Sequence, residues 1–318
     1  MLEFDLIARY FQNLTPVSES IIVGIGDDAA VTQVPCGKQL VTAVDGLVAG
    51  VHFPLDTKPE DIAYKALAVN ISDLAAMGAC PAWFTLSLTL PDADETWLKK
   101  FSQGLAAAAK QYRISLIGGD TSQGPLTLSI QVMGWVDEGQ ALKRSAAKVG
   151  DTVYLSGHIG DAGLGLKMKL NPNELTQTPS CLQALNRPQA QLDFSMALKN
   201  YIAACIDVSD GLIADMNHIC EASQVGAELM YEQIPFSSAV QAYIKNTQDV
   251  LMPLTAGDDY QLCFSVHEEN IQDFEQQCQQ LAYPVFPIGK IVASKGLRLL
   301  DAQGQEMQLQ QHGYQHFS

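Results

Sequence analysis

The sequence predicts an α+β fold in two domains. Runs of β-branched residues alternate with capped amphipathic segments through residues 38–136. The alternation lapses in the polar stretch Asp137–Gly150 and restarts at Asp151, and both halves carry Gly-Asp turns at strand ends. The boundary is expected at 140/141, giving domains 1–140 and 141–318.

In chain order, Lys38–Asp45 is a strand ending in an acid. A helix follows from a Thr57-x-x-Glu60 capping box with Pro59 in its first turn, and stops at Gly78 and Pro81. Asn70 and Asp73 share one face of it. Next come a strand (83–90), a helix (94–112), a short strand (114–117) entering a Gly118-Gly119-Asp120 turn, and a strand (127–136). The second half reads as a strand (151–156), a strand (203–208), a helix (212–222) and a strand (261–266). Gly157, Gly160, Gly163 and Gly165 lack the spacing of a dinucleotide loop and suit a tight strand-to-helix turn. Residues 276–280 read as a polar surface helix and 305–311 as a tail.

The composition narrows the function. With 47% hydrophobic and 17% charged residues, the 318-residue chain can bury full cores. A formal net charge of -16 without a Lys/Arg stripe excludes nonspecific nucleic-acid binding. The uncharged run Leu74–Leu90 is broken by Gly78 and Pro81, so no membrane span is expected. Seven dispersed cysteines without Cys-x-x-Cys, and no basic N-terminal leader, fit a reduced, cytoplasmic protein.

The chemistry lies in clusters of Asp, Gly and small residues: Gly24-Ile-Gly-Asp-Asp28, Asp45, Asn70-Ile-Ser-Asp73, Gly118-Gly-Asp120, Asp207-Val-Ser-Asp210-Gly211 and Ala256-Gly-Asp-Asp-Tyr260. Carboxylates can converge only around positive charge, because a buried unpaired one costs several kcal/mol or takes up a proton. All-oxygen donors point to Mg²⁺, which bridges carboxylates to phosphates. Each cluster alone has a plainer reading. Asp after Gly is common in turns, Ser209 or Asp210 could be an N-cap, and Arg144 is either a phosphate clamp or a solvated linker charge. The histidines lack metal-ligand spacing; only His52 stands beside an acidic cluster.

Together the motifs resemble the thiamine-monophosphate kinase family, of the superfamily that also holds aminoimidazole-ribonucleotide synthetase and selenophosphate synthetase. Phe4-Asp-Leu-Ile-Ala-Arg-Tyr-Phe11, Leu47-Val-Ala-Gly-Val-His-Phe53, the block Tyr64–Gly78, Ile117-Gly-Gly-Asp-Thr121, Asp207-Val-Ser-Asp-Gly-Leu212 and Gly313-Tyr-Gln-His-Phe317 carry the likeness. It implies ATP-dependent phosphorylation of thiamine monophosphate to thiamine diphosphate, the last step of that synthesis, by direct Mg-assisted transfer. It also implies an aminoimidazole-ribonucleotide-synthetase-like architecture whose N-terminal domain dimerises through its sheet and carries the metal and ATP site, the C-terminal domain completing the ATP and substrate site.

By motif, Asp28, Asp45, Asp73, Asp120, Asp207 and Asp210 are implied ligands of several Mg²⁺ ions. Gly119, Asp120, Arg144 and Ser209 are implied to contact ATP, and His52, Asp258 and Tyr314 to contact thiamine monophosphate. Ala43 and Val44 stand where the family has hydroxyl residues, removing a metal contact. Asp258 replaces the family's glutamate and is shorter by one C–C bond, so its substrate contact is expected through water. A selenophosphate synthetase would carry a reactive Cys in a glycine-rich N-terminal segment, whereas the first here is Cys36, after the Gly-Asp-Asp turn. A purely cation-binding module would show an EF-hand loop or an acidic repeat, and neither occurs.

Overall fold

The computed structural model describes residues 3–16 and 18–309, without the side chain of Glu3. The described residues fall into two compact units, those up to 74 with 79–141, and 75–78 with those from 142 onward.

The first unit contains α1 (Glu3–Tyr10), a small ladder of β1 (Ile21–Val23) and β2 (Val31–Thr32), then β3 (Lys38–Val48), α2 (Pro59–Ala76), β4 (Cys80–Leu90), α3 (Glu95–Tyr112), β5 (Ser115–Gln123) and β6 (Thr127–Asp137). The last two residues of α2 group with the second unit. Four strands form one sheet in the order β3-β6-β4-β5, with only β4 and β5 parallel. Along β6, Leu128, Ile130, Val132 and Val136 are buried while Gln131 and Asp137 are exposed, the period-two pattern of a sheet covered on one face.

Two local expectations fail. The Thr57–Glu60 capping box does not form: Thr57 Oγ1 and Glu60 Oε2 are buried without a hydrogen-bond partner, and α2 starts at Pro59, whose missing N–H is no loss there. Gly118-Gly119-Asp120 is not a turn but the middle of β5, paired with Thr85, Leu86 and Ser87. A Cβ at Gly119 would fall 1.9 Å from the Leu86 carbonyl oxygen, so the close approach of β4 requires glycine there. By contrast α3 begins as its sequence dictates: Asp94 accepts from the N–H groups of Thr96 (2.7 Å) and Trp97 (3.1 Å).

The second unit contains β7 (Thr152–Leu155), α4 (Asp161–Leu170), α5 (Pro179–Asn186), α6 (Leu192–Leu198), β8 (Ile202–Asp207), α7 (Leu212–Ser223), β9 (Gly226–Met230), α8 (Ser238–Thr247), α9 (Met252–Thr255), β10 (Leu262–Val266), α10 (Ile271–Leu281), β11 (Phe286–Val292) and β12 (Gly296–Leu300). Its six-stranded sheet runs β12-β9-β11-β7-β10-β8. Val153, Leu155, Ile206, Cys263, Ile288 and Leu299 of the sheet pack with Ile213, Met216, Ile219 and Cys220 of α7 into one core. β7 passes through 156–160 straight into α4, a strand-to-helix turn. Residues 276–280 lie in α10, which buries Phe274 and Cys278 one turn apart. Residue 307 is not a loose tail: its N–H donates to the Leu299 carbonyl, and Met307 packs on the core. No helix among the described residues is long and apolar enough to cross a membrane.

Candidate functional site

In the first unit, Asp45 projects from edge strand β3. Its N–H donates to Oδ1 of Asn70 (2.9 Å), and the fully buried Asn70 is itself fixed by donating to the Ala66 carbonyl (2.9 Å). The first of these bonds ties α2 to β3, and Asp73 stands one helical turn beyond Asn70; β3 itself does not end at Asp45 but runs on to Val48. Asn70 was legible only as part of its motif; its bond to the backbone of residue 45 is what the structure adds.

Asp27, Asp28 and Asp120 line a cavity of about 720 Å³ with Gly118, Gly119 and Thr121 of β5, Thr85 of β4 and Gln12 beyond α1. Its remaining wall is apolar, including Phe4, Ile7 and Phe11. Asp28 is exposed, and its N–H donates to Asp27 Oδ1 (2.8 Å). Asp45 and Asp120 do not come together within the sheet. Asp45 is level with Ile130, Leu86 and Gly119 in successive strands, three strand spacings or about 14 Å from the far edge.

His52 follows β3 in a turn closed by its own N–H donating to the Val48 carbonyl (3.0 Å). Its Nδ1 accepts from the Val48 N–H (2.9 Å), which places the ring proton on Nε2 and orients the imidazole. Ala43 is half-buried and Val44 exposed, and neither offers an oxygen beside Asp45 beyond its backbone.

In the second unit, Asp207 ends β8 and Ser209-Asp210-Gly211 leads into α7. Neither Ser209 nor Asp210 caps α7 with its side chain; the N–H groups at this junction are held by a carboxylate inside the fold. Oδ2 of Asp215 accepts from Ser209 (3.0 Å), Asp210 (3.0 Å) and Gly211 (3.1 Å). Ser209 is left to act through its hydroxyl. The Asp258 loop lies alongside, since the Asp258 N–H donates to the Ser209 carbonyl (2.9 Å) and the Tyr260 N–H to the Val208 carbonyl (2.8 Å). Asp258 accepts from the Tyr260 hydroxyl (3.0 Å). Arg144 is exposed in a 3-10 turn (Arg144–Ala146) pinned by Ser223, whose hydroxyl donates to the Arg144 carbonyl (2.7 Å). Tyr314 lies outside the described residues.

Among the described residues, no three His, Cys, Asp or Glu side chains form a ready metal-binding group. The donor chemistry nevertheless suits a hard cation. Asp215, only 2% exposed, is pushed up to about 8 by burial and then by the negative charges of Asp207 and Asp210. The carboxyls of Asp207 and Asp210 lie close enough to Asp215 to be felt as charge, oxygen donors of the kind a hard cation takes.

Residues 26–136 match the AIR synthase related protein N-terminal domain and residues 148–302 its C-terminal domain. The thiamine-monophosphate kinase of Salmonella typhimurium is 42% identical over 320 residues, 99% of this chain and 98% of that protein. The chain belongs to the thiamine-monophosphate kinase family. A crystal structure of the kinase of this family from Stenotrophomonas maltophilia is similar with a TM-score of 0.84 at 39% identity, covering 96% of both chains. A solved complex of AaThiL with AMPPCP and TMP gives a TM-score of 0.79 at 31% identity, covering 94% of this chain and 93% of that one.

Within this thiamine-monophosphate kinase family chain, Asp215 and Asp259 are the site-side residues that sequence reasoning missed. Asp215 was hidden because an acid in the first turn of a helix reads as an ordinary dipole partner. Asp259 was hidden behind its neighbour Asp258 in the Gly-Asp-Asp turn.

Proposed function

We propose that this chain transfers the γ-phosphoryl group of ATP directly to thiamine monophosphate, forming thiamine diphosphate. The observation that carries this reading is the full-length likeness to thiamine-monophosphate kinases, including the one named in complex with AMPPCP and TMP. The acid-lined cavity and the Asp207–Gly211 junction support it.

The acceptor is a phosphate oxygen, anionic at neutral pH, so no side chain is needed to deprotonate it. The work left to the protein is to hold two polyanions in line and balance their charge. Asp28, Asp45, Asp73 and Asp120 in the first unit, and Asp207 and Asp210 in the second, are the proposed Mg²⁺ ligands. Bound magnesium supplies charge neutralisation between the phosphates. Gly119, Asp120, Arg144 and Ser209 contact ATP, Arg144 offering a guanidinium to the transferring group. His52, with Nε2 as its donor position, Asp258 and Tyr314 are the residues we assign to thiamine monophosphate.

The working form is a cytoplasmic homodimer. β3 is an eleven-residue sheet edge with Leu40 50% and Val44 63% exposed, an apolar edge that a second copy would cover.

Magnesium titration at fixed ATP tests the metal part. Six aspartates exceed what one nucleotide-bound ion needs, so turnover should keep rising after magnesium passes ATP. A plateau at one equivalent would count against the multi-ion site.

A further inference from the structure

Building on the proposed thiamine-phosphate pocket, we propose that Asp259 is a positioning residue for Asp258: it ties the loop carrying Asp258 to the N-terminus of α4 and so fixes the substrate-side carboxylate.

The loop does not hold its shape by local preference. Gly257, Asp258 and Tyr260 all have positive φ, at +72°, +64° and +50°. Only the glycine accepts such a backbone without strain, so the two other residues need outside support. The Ser209 and Val208 carbonyls supply part of it by accepting from the Asp258 and Tyr260 N–H groups.

Asp259 supplies the rest from the opposite side. Its residue is 9% exposed, and its Oδ1 accepts from the Gly160 N–H (2.8 Å), with the Ala162 N–H a second donor. These are orphan donors at the start of a ten-residue helix whose own N-cap, Gly160, has no side chain to satisfy them. Asp161 is occupied elsewhere, accepting from Ser237 (2.6 Å) and Cys181 (3.3 Å). Asp259 thus caps α4 from a distant loop, and the same bonds stop that loop from relaxing.

Oδ2 of Asp259 has no hydrogen-bond partner. Burial pushes the carboxyl well above its ordinary range, with Asp161 and Asp258 adding repulsion and the Gly160 bond opposing it. An asparagine side chain at this position keeps an accepting oxygen where Oδ1 meets the Gly160 N–H.

The test is steady-state kinetics of the full chain with magnesium, ATP and thiamine monophosphate, with thermal melting of each variant. Asp259→Ala should raise KM for thiamine monophosphate about tenfold and leave KM for ATP within about twofold. Asp259→Asn should recover most of that loss, which no loss of bulk packing would explain. Should the alanine variant not fold, Asp259→Ser carries the same test, its hydroxyl being too short to reach Gly160. Equal rises in both KM values, or an unchanged KM for thiamine monophosphate in a folded variant, would overturn the positioning role. Asp258→Ala separates the two claims. If it raises KM for thiamine monophosphate while Asp259→Ala does not, only the positioning role falls; if it changes nothing, the pocket assignment falls and takes this inference with it.

Discussion

Asp215 concentrates the electrostatics of the second unit in one carboxyl. An acid raised from 3.8 to about 8 binds its proton more tightly in the folded chain than in the unfolded one. As pH climbs through that interval, the unfolded chain loses the proton first, so this group lowers folding stability progressively between about pH 4 and pH 8. The metal-free protein should therefore melt several degrees lower at pH 8 than at pH 5, and Asp215→Asn, which keeps an acceptor for the three N–H groups, should flatten that difference. Melting curves in chelator at both pH values decide it; an equal slope in the variant would remove Asp215 as the cause. Magnesium should stabilise the wild type more at pH 8 than at pH 5, because the proton competes less there.

Among elements, the junction leading into α7 and the turn after α9 behave as one piece because their backbones are bonded to each other. A Cβ at Gly257 would stand 2.3 Å from the Ser209 carbonyl oxygen, on a backbone that already has positive φ. Gly257→Ala should cost on the order of 1 to 3 kcal/mol and raise KM for both substrates, since it parts the Ser209 side from the Asp258 side. A variant that melts like wild type with unchanged kinetics would contradict the coupling. Legibility follows the same physics. α3 and β6 were readable because Asp94 and the alternation along Leu128–Val136 are local signals. The continuation of β5 through Gly118-Gly119-Asp120 was not, because glycines there answer to the Leu86 backbone on another strand. β9, β11 and β12 were not legible, because their pairing partners lie far along the chain; β11 pairs Lys290 with Thr152, on the other side of the second unit's sequence. The site was legible as residue types, since Gly-Asp spacing is written in sequence, but Asp215 and Asp259 act through backbone N–H groups that no side-chain pattern records.

For the whole molecule, the exposed β3 edge and the family assignment lead to the same expectation. A homodimer should form through the first unit, and Val44→Lys should shift it toward monomer in analytical ultracentrifugation by burying a charge in an apolar contact. A wild-type chain that sediments as a monomer at assay concentration would remove the interface. The central claim, direct phosphoryl transfer to thiamine monophosphate, is tested most directly by following the label of [γ-³²P]ATP with thiamine monophosphate, aminoimidazole precursors and selenide offered separately. The expected result is labelled thiamine diphosphate with one ADP formed per label transferred, and no comparable turnover with the other acceptors. Label released only as inorganic phosphate, or ATP consumed with another acceptor but not with thiamine monophosphate, would contradict it.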